Sequence, residues 1–216
     1  MSIKLLHSVA HELEQEQIPL GEALAQSLRG ALAQATIYKT MKKEGFTLFM
    51  PNPEDDEQLG WWDVVGGADL VAVKYHNGAY RVLLIDAKSD RTVHTMSHTA
   101  PKGKVYIQSQ SFADFQHPSQ REAVYTIAAD AIELTIQGVQ QRHYSTDPQA
   151  QRDALYDKLQ YARVQRIEMY IPTSQSDLTH MAEFTDSGNS TSMIHQLEII
   201  MSKKVSIPMF SLLPRT

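Results

Sequence analysis

The clearest hydrophobic pattern in the chain lies between positions 70 and 85. Two runs rich in leucine and β-branched residues, at 70–73 and 82–85, flank the dipeptide Asn77-Gly78. Asn-Gly is the strongest short signal for a β-hairpin, because a two-residue type I′ turn needs positive φ at both central positions. The pattern therefore predicts two antiparallel strands joined at Asn77-Gly78, and the rest of the chain is interpreted around them.

The predicted turn also sets which residues face each other. Counting back from it, Leu70 faces Ile85 and Asp69 faces Asp86. Directly opposed side chains have Cβ atoms roughly 4.5–5.5 Å apart, so the two carboxylates would repel each other. A bound divalent cation would offset this repulsion, and a proton shared by the two carboxylates is the alternative.

Strand alternation brings a lysine to the same place. Residues two apart in a strand point to one face, so Lys88 stands beside Asp86. The same register puts Lys88 opposite Gly67, which has no side chain to block it. The pattern predicts two carboxylates and one ammonium at the end of an apolar hairpin. The alternative without a catalytic role is a surface salt bridge between Asp86 and Lys88.

This arrangement resembles the PD-(D/E)XK nuclease superfamily, in which an acidic residue on one strand precedes a (D/E)-x-K motif on the next. Here Asp69 is followed at hairpin distance by Asp86-Ala87-Lys88, and Ala68 stands where the superfamily name has proline. The resemblance is best over residues 20–90. It implies an α/β, restriction endonuclease-like fold, with a mixed central sheet of about four to six strands flanked by helices after an N-terminal helical pair.

The resemblance also implies a chemistry for the site. Asp69, Asp86 and the backbone carbonyl of Ala87 would bind Mg²⁺ or Mn²⁺, and Lys88 would position or activate water. A divalent cation polarises a phosphoryl oxygen and lowers the pKa of bound water. A lysine nearby can orient that water or stabilise the developing charge. The implied activity is metal-dependent phosphodiester hydrolysis by an endonuclease.

A further acidic residue is expected from the helix that precedes the sheet, as in many members of the superfamily. Glu22 is the best match by position, because it stands at the start of a predicted helix, and Glu12 and Glu44 are alternatives. The competing interpretation of Glu22 is a solvated glutamate that interacts with the helix dipole.

The remaining elements are predicted from helical and strand periodicity. Helices are predicted over 3–17, 22–44, 118–140 and 148–163, and strands over 46–50, 105–107, 166–171 and 205–210. A polar loop is predicted at 186–192, followed by a helical or extended segment. We expect one domain, with N-terminal helices at 1–44, a core at 45–172 and a C-terminal extension at 173–216. Of the adjacent tryptophans Trp61 and Trp62, a core-covering role is favoured over stacking on a base.

Composition narrows the function classes. The 216 residues include no cysteine, which excludes disulfides, thiolate zinc sites and cysteine nucleophiles. The net charge of −5 counts against a large nucleic-acid footprint, although a basic loop at 89–104 is well placed to contact phosphates. No signal peptide and no apolar run of the ~18 residues that a membrane span needs is evident, so we expect a cytoplasmic protein without membrane contact.

The expected partner is DNA, with RNA as the alternative, and the resemblance implies a homodimer that cuts two strands. Two other functions stay open from sequence. One is a non-catalytic nucleic-acid or protein binding module on a nuclease-like fold, which the acidic net charge favours. The other is a metal-dependent phosphohydrolase that acts on small molecules.

Overall fold

The computed structural model describes residues 22–51, 62, 67–88, 105–109, 118–140, 161–171, 189–202 and 207–208. The described residues form three helices and six strands. In chain order these are α1 (Glu22–Lys43), β1 (Thr47–Phe49), β2 (Leu70–His76), β3 (Ala79–Lys88), β4 (Tyr106–Ser109), α2 (Pro118–Gln140), β5 (Arg163–Tyr170), α3 (Asn189–Ser202) and β6 (Ile207–Pro208). The predicted helix over 3–17 and the loop at 89–104 lie outside the described residues.

The strands form one sheet in the order β1-β2-β3-β5-β4, with β6 paired to β5. β1 and β3 are antiparallel to β2, and β6 is antiparallel to β5. The amide of Ile171, just after β5, donates to the carbonyl of Lys88, the last residue of β3, over 2.9 Å. Neighbouring strands whose C-terminal ends meet in this way run parallel. The sheet is therefore mixed, which confirms the predicted α/β class.

The elements fall into two compact units. The first contains α1, the end of β3 from Ala87, β4 as far as Gln108, the end of β5 from Glu168, and most of α3. The second contains β1, β2, the remainder of β3 and β5, and α2. The predicted division of the chain at 44 and 172 stays a prediction.

Helix α1 ends where the sequence predicts. Gly45 has a φ of 81°, a left-handed conformation that glycine adopts without strain and that commonly ends helices. The amide of Glu44 completes the last turn by donating to the carbonyls of Thr40 and Met41. Along the helix, Ala33, Ile37 and Met41 are fully buried at four-residue spacing, which is the apolar stripe of an amphipathic helix.

Helix α2 covers one face of the sheet in the second unit. It has the bounds predicted from the apolar spacing between 118 and 140. The core that it shares with the sheet contains Trp62, Ala68, Val71, Val73, Val82, Leu84, Val124, Ile127, Ala128, Ala131, Ile132, Ile136, Ala162 and Val164. Trp62 is 7% exposed, so its predicted role as a cover for the core is confirmed.

Three predicted boundaries were wrong. β5 begins at Arg163, so the helix predicted over 148–163 does not extend to that residue, and the strand predicted from 166 starts earlier. α3 begins at Asn189, inside the predicted loop at 186–192. Of the strand predicted over 205–210, the structure describes Ile207–Pro208, which is a strand, and the rest of that range lies outside the described residues. None of the described helices is long and apolar enough to cross a membrane.

The early start of β5 has a physical cause. Gln165 is 1% exposed, and a buried glutamine is costly unless its amide is hydrogen-bonded. Its Nε2 donates to Oγ of Ser109 on β4 over 2.9 Å. A partner that lies 56 positions away in the sequence makes this polar residue compatible with an interior strand, which periodicity alone does not detect.

The outer edge of β4 is covered by one side chain of the first unit. Oε1 of Gln196 on α3 accepts the amide of Ile107 over 3.1 Å, and its Nε2 donates to the carbonyl of Val105 over 3.0 Å. The carboxamide thus takes the place of a peptide group in a neighbouring strand. An edge strand with exposed amides and carbonyls is a template for pairing with another chain, and Gln196 covers this part of it.

Candidate functional site

The turn of the central hairpin has the predicted conformation. Asn77 has a φ of 49° and Gly78 a φ of 78°, as a type I′ turn requires. The pairing of β2 with β3 runs from His76 opposite Ala79 to Leu70 opposite Ile85. The predicted register is therefore confirmed up to the last residue before the proposed site.

The ladder changes at Asp69. Its amide donates to the carbonyl of Ile85 over 2.9 Å. In a regular continuation of the register, Asp69 and Asp86 would form a non-hydrogen-bonded pair, and the Asp69 amide would point away from β3. The regular pairs end at Leu70 opposite Ile85, so the predicted Asp69–Asp86 pair is not part of the ladder. Asp69 is anchored beside the residue that precedes Asp86, and both aspartates are half-buried.

An arginine that sequence reasoning missed lies at this end of the hairpin. Gly67 has a φ of 58°, and a Cβ atom added to it would overlap with the guanidinium of Arg166 on β5. The predicted neighbour of Gly67 was Lys88, but the side chain packed on this glycine is Arg166. The Nε atom of Arg166 is buried. The guanidinium places a positive charge against Gly67, which is two residues before Asp69 in the chain.

Asp86, Ala87 and Lys88 are the last three residues of β3. Alternation along the strand puts Asp86 and Lys88 on one face, as predicted. The carbonyl of Ile85 points to β2, since it accepts the amide of Asp69. The carbonyl of Ala87, two residues further, is turned to the same side of β3 by the same alternation. Within three positions, β3 thus presents the carboxylate of Asp86, the carbonyl oxygen of Ala87 and the ammonium of Lys88.

In the first unit, a further carboxylate lies on the strand beside Lys88. The bond between Ile171 and Lys88 places Lys88 opposite Tyr170, two residues after Glu168 on the same face of β5. The hydroxyl of Tyr170 donates to Oε2 of Glu168 over 2.6 Å, which fixes that carboxylate. The Tyr170 ring also contacts Tyr106, with 6.1 Å between ring centroids. Sequence reasoning missed Glu168, because nothing local shows which strand lies next to β3.

For the acidic residue predicted on the helix before the sheet, the structure describes only some of the candidates. Glu22 is the first residue of α1, as predicted, but its side chain lies outside the described part of the structure. Glu12 also lies outside the described residues, and Glu44 is exposed just past the end of the helix. Among the described residues, no three His, Asp or Glu side chains come together as a metal site.

Comparison of the chain with protein-family models, with curated proteins and with solved structures found no match.

Proposed function

We propose that the protein is a metal-dependent nuclease that hydrolyses phosphodiester bonds, with DNA as the polymer. The observation that carries this proposal is the far end of the β2–β3 hairpin. There, β3 closes with Asp86-Ala87-Lys88, and Asp69 is hydrogen-bonded to the residue immediately before them. The order of these groups along two adjacent strands is that of the PD-(D/E)XK superfamily.

The donor atoms at this end of the hairpin suit a hard divalent cation. Asp69 and Asp86 offer carboxylate oxygens, and Ala87 offers a carbonyl oxygen, which are the ligand types that Mg²⁺ and Mn²⁺ prefer. These three residues would hold the ion, with Glu22 as a candidate fourth ligand. When bound, a divalent cation supplies charge stabilisation for the phosphoryl oxygens and a more acidic water.

Lys88 has a separate role in this proposal. Its ammonium stands on the same face of β3 as the Asp86 carboxylate, at the end of the strand. From there it orients the attacking water and stabilises the negative charge that develops on the phosphate. Because this role is exerted mainly in the transition state, removing the ammonium should lower the turnover rate more than substrate affinity.

The test is cleavage of supercoiled plasmid, single-stranded DNA and RNA with Mg²⁺ or Mn²⁺, comparing wild type with Lys88→Ala and Lys43→Ala. Lys43 is an exposed lysine in the last turn of α1 and serves as the matched control. We expect metal-dependent cleavage that falls at least about a hundredfold in Lys88→Ala and is unchanged in Lys43→Ala. Cleavage confined to small phosphate esters, or unaffected by Lys88→Ala, would contradict the proposal.

A melting experiment separates the nuclease from a non-catalytic binding module. An ion that binds only the folded protein must raise its melting temperature. We expect millimolar Mg²⁺ or Mn²⁺ to stabilise the wild type and to have no such effect on Asp69→Asn. Folded protein that neither gains stability from the metal nor cleaves any polymer would favour the binding module.

A further inference from the structure

The turn end of the β2–β3 hairpin carries positive charge, in a protein whose net charge is −5. Lys74 on β2 and Arg81 on β3 are directly opposed, so their side chains share one face of the sheet. Arg163, at the start of β5, is close enough to Arg81 for their charges to interact. Lys74, Arg81 and Arg163 thus form a row across three neighbouring strands, named here the cationic row.

The row is held in place by its surroundings. Nζ of Lys74 lies 4.9 Å from the centroid of the Phe46 ring, and Phe46 is 5% exposed, so a buried aromatic face positions the ammonium. Burial lowers the pKa of Arg81 below its ordinary value, and the nearby charge of Arg163 lowers it further. Arginine stays charged at neutral pH, so the row keeps its positive charge there.

An aromatic pair with one exposed ring lies one residue closer to the turn, on the opposite face. Tyr75 and Tyr80 are directly opposed, and their rings meet edge to face with centroids 5.2 Å apart. Tyr75 is 62% exposed, whereas Tyr80 packs against the core. β1 pairs with residues 71–73 of β2, so the hairpin from Tyr75 to Tyr80 extends past the end of β1.

We propose that this turn end binds a single strand of nucleic acid, with phosphates on the cationic row and an unpaired base on Tyr75. The two groups lie on opposite faces of a single layer of strands, so a nucleotide chain that crosses the protruding hairpin contacts both. Cationic side chains that follow a phosphate backbone, combined with an aromatic ring for a base, are the pattern of single-strand binding. The proposal depends on the proposed nuclease function only for its choice of polymer.

The experiment measures binding of a fluorescently labelled single-stranded DNA by anisotropy in EDTA, over a series of salt concentrations. The variants are Lys74→Gln/Arg163→Gln and Tyr75→Ala. The controls are Lys42→Gln/Lys43→Gln, which removes two charges from the end of α1, and Leu134→Ala, which removes a hydrophobic side chain of α2 that is 50% exposed. Thermal melting checks that each variant is folded.

We expect the charge variant to weaken binding about tenfold or more and to reduce the slope of log K against log salt by about 1.4, since each phosphate contact contributes about 0.7 on a single strand. Tyr75→Ala should weaken binding at least about fivefold, with little change in slope. The control variants should bind like the wild type. Equal losses of DNA affinity in the variants and in the controls would overturn the proposal. It would also be overturned if polyphosphate bound as tightly as DNA and its affinity did not change in Tyr75→Ala.

The outcome is independent of catalysis, because EDTA removes the metal and the row lies away from Asp86. A protein that binds through these residues but never cleaves would contradict the proposed nuclease and leave this inference standing. A protein that cleaves, but binds equally well without the row and Tyr75, would contradict this inference alone.

Discussion

The two ends of the β2–β3 hairpin differ in the charged side chains that they carry and in the regularity of their strand pairing. The turn end, built around Asn77-Gly78, carries Lys74 and Arg81 in one opposed pair. The far end carries Asp69 and Asp86, with Lys88 at the end of β3 and Arg166 packed on Gly67. The turn end follows the register set by its own dipeptide, whereas at the far end the register changes at Asp69.

Under the two proposals above, one hairpin would bind two ligands of opposite charge. Asp86 lies five positions after Arg81 along β3, a distance of roughly 16 Å at about 3.3 Å per residue. At that separation, beyond the Debye length of about 8 Å at physiological salt, charges exposed to solvent are largely screened from each other. The proposed metal site and the proposed nucleic-acid site can therefore each be tested without disabling the other.

The largest effect should come from the acidic end. We expect Asp86→Asn to lower metal-dependent cleavage at least about a hundredfold, because a neutral amide holds a divalent cation poorly. The same change should leave the melting temperature close to that of the wild type, since asparagine has nearly the size and shape of aspartate. Cleavage assays and thermal melting measure the two effects. Asp130→Asn, on the exposed side of α2, is the control for loss of one negative charge.

A strongly destabilised Asp86→Asn protein would mean that the carboxylate holds the fold together, which would contradict its assignment to a metal site. Retained metal-dependent cleavage would contradict it equally. Single-stranded DNA binding in EDTA should not change in this variant, because the cationic row lies at the other end of the hairpin.

The second-largest effect is a loss of stability on substituting the two glycines of the hairpin region that have positive φ. Gly67 and Gly78 both disfavour a side chain, but a Cβ at Gly78 meets nothing within 4 Å, whereas one at Gly67 overlaps with Arg166. We expect Gly78→Ala to cost about 1 kcal/mol from backbone strain and Gly67→Ala about 2 kcal/mol, because the end of the Arg166 side chain must also move. Urea unfolding of each variant measures the difference.

A double-mutant cycle isolates the overlap. In an Arg166→Ala background, the cost of Gly67→Ala should fall to about that of Gly78→Ala, because the guanidinium that occupies the space is absent. An unchanged cost in that background would mean that Arg166 is not what Gly67 accommodates, and the contact at the acidic end would need another explanation.

The smallest effect is a titration at the turn end. Burial raises the pKa of Tyr80 above its ordinary value of about 10, and Tyr75 raises it further. The folded protein holds this proton more tightly than the unfolded chain does. The resulting stability is fully present below about pH 10 and is lost as the pH rises through the folded pKa. We expect Tyr75→Phe to lower the pKa of Tyr80 only in part, since burial is the larger cause.

Ultraviolet absorbance of tyrosinate measures this titration, and Tyr80→Phe identifies the group that titrates late. A pKa for Tyr80 that does not change in Tyr75→Phe would indicate that the two rings do not influence each other electrostatically.

Local signals in the sequence predicted much of the fold. Asn77-Gly78 was sufficient for the hairpin and its register, and apolar spacing was sufficient for the bounds of α2. What escaped prediction depends on partners far apart in the chain. Arg166 packs on Gly67 across 99 positions, and the hydrogen bond between Gln165 and Ser109 makes a polar residue an interior one. The candidate site was accordingly predicted on β2 and β3 and missed on β5, because no local pattern reveals that β5 lies next to β3.

The side chain that covers the edge of β4 has a consequence for how the protein exchanges hydrogen with solvent. An amide on the outermost strand of a sheet usually exchanges quickly, because no neighbouring strand protects it. The proton of Ile107 instead points at the carboxamide of Gln196, so it is released only when that side chain swings away. The exchange rate of one amide therefore reports how often helix α3 loosens from the strand that it covers.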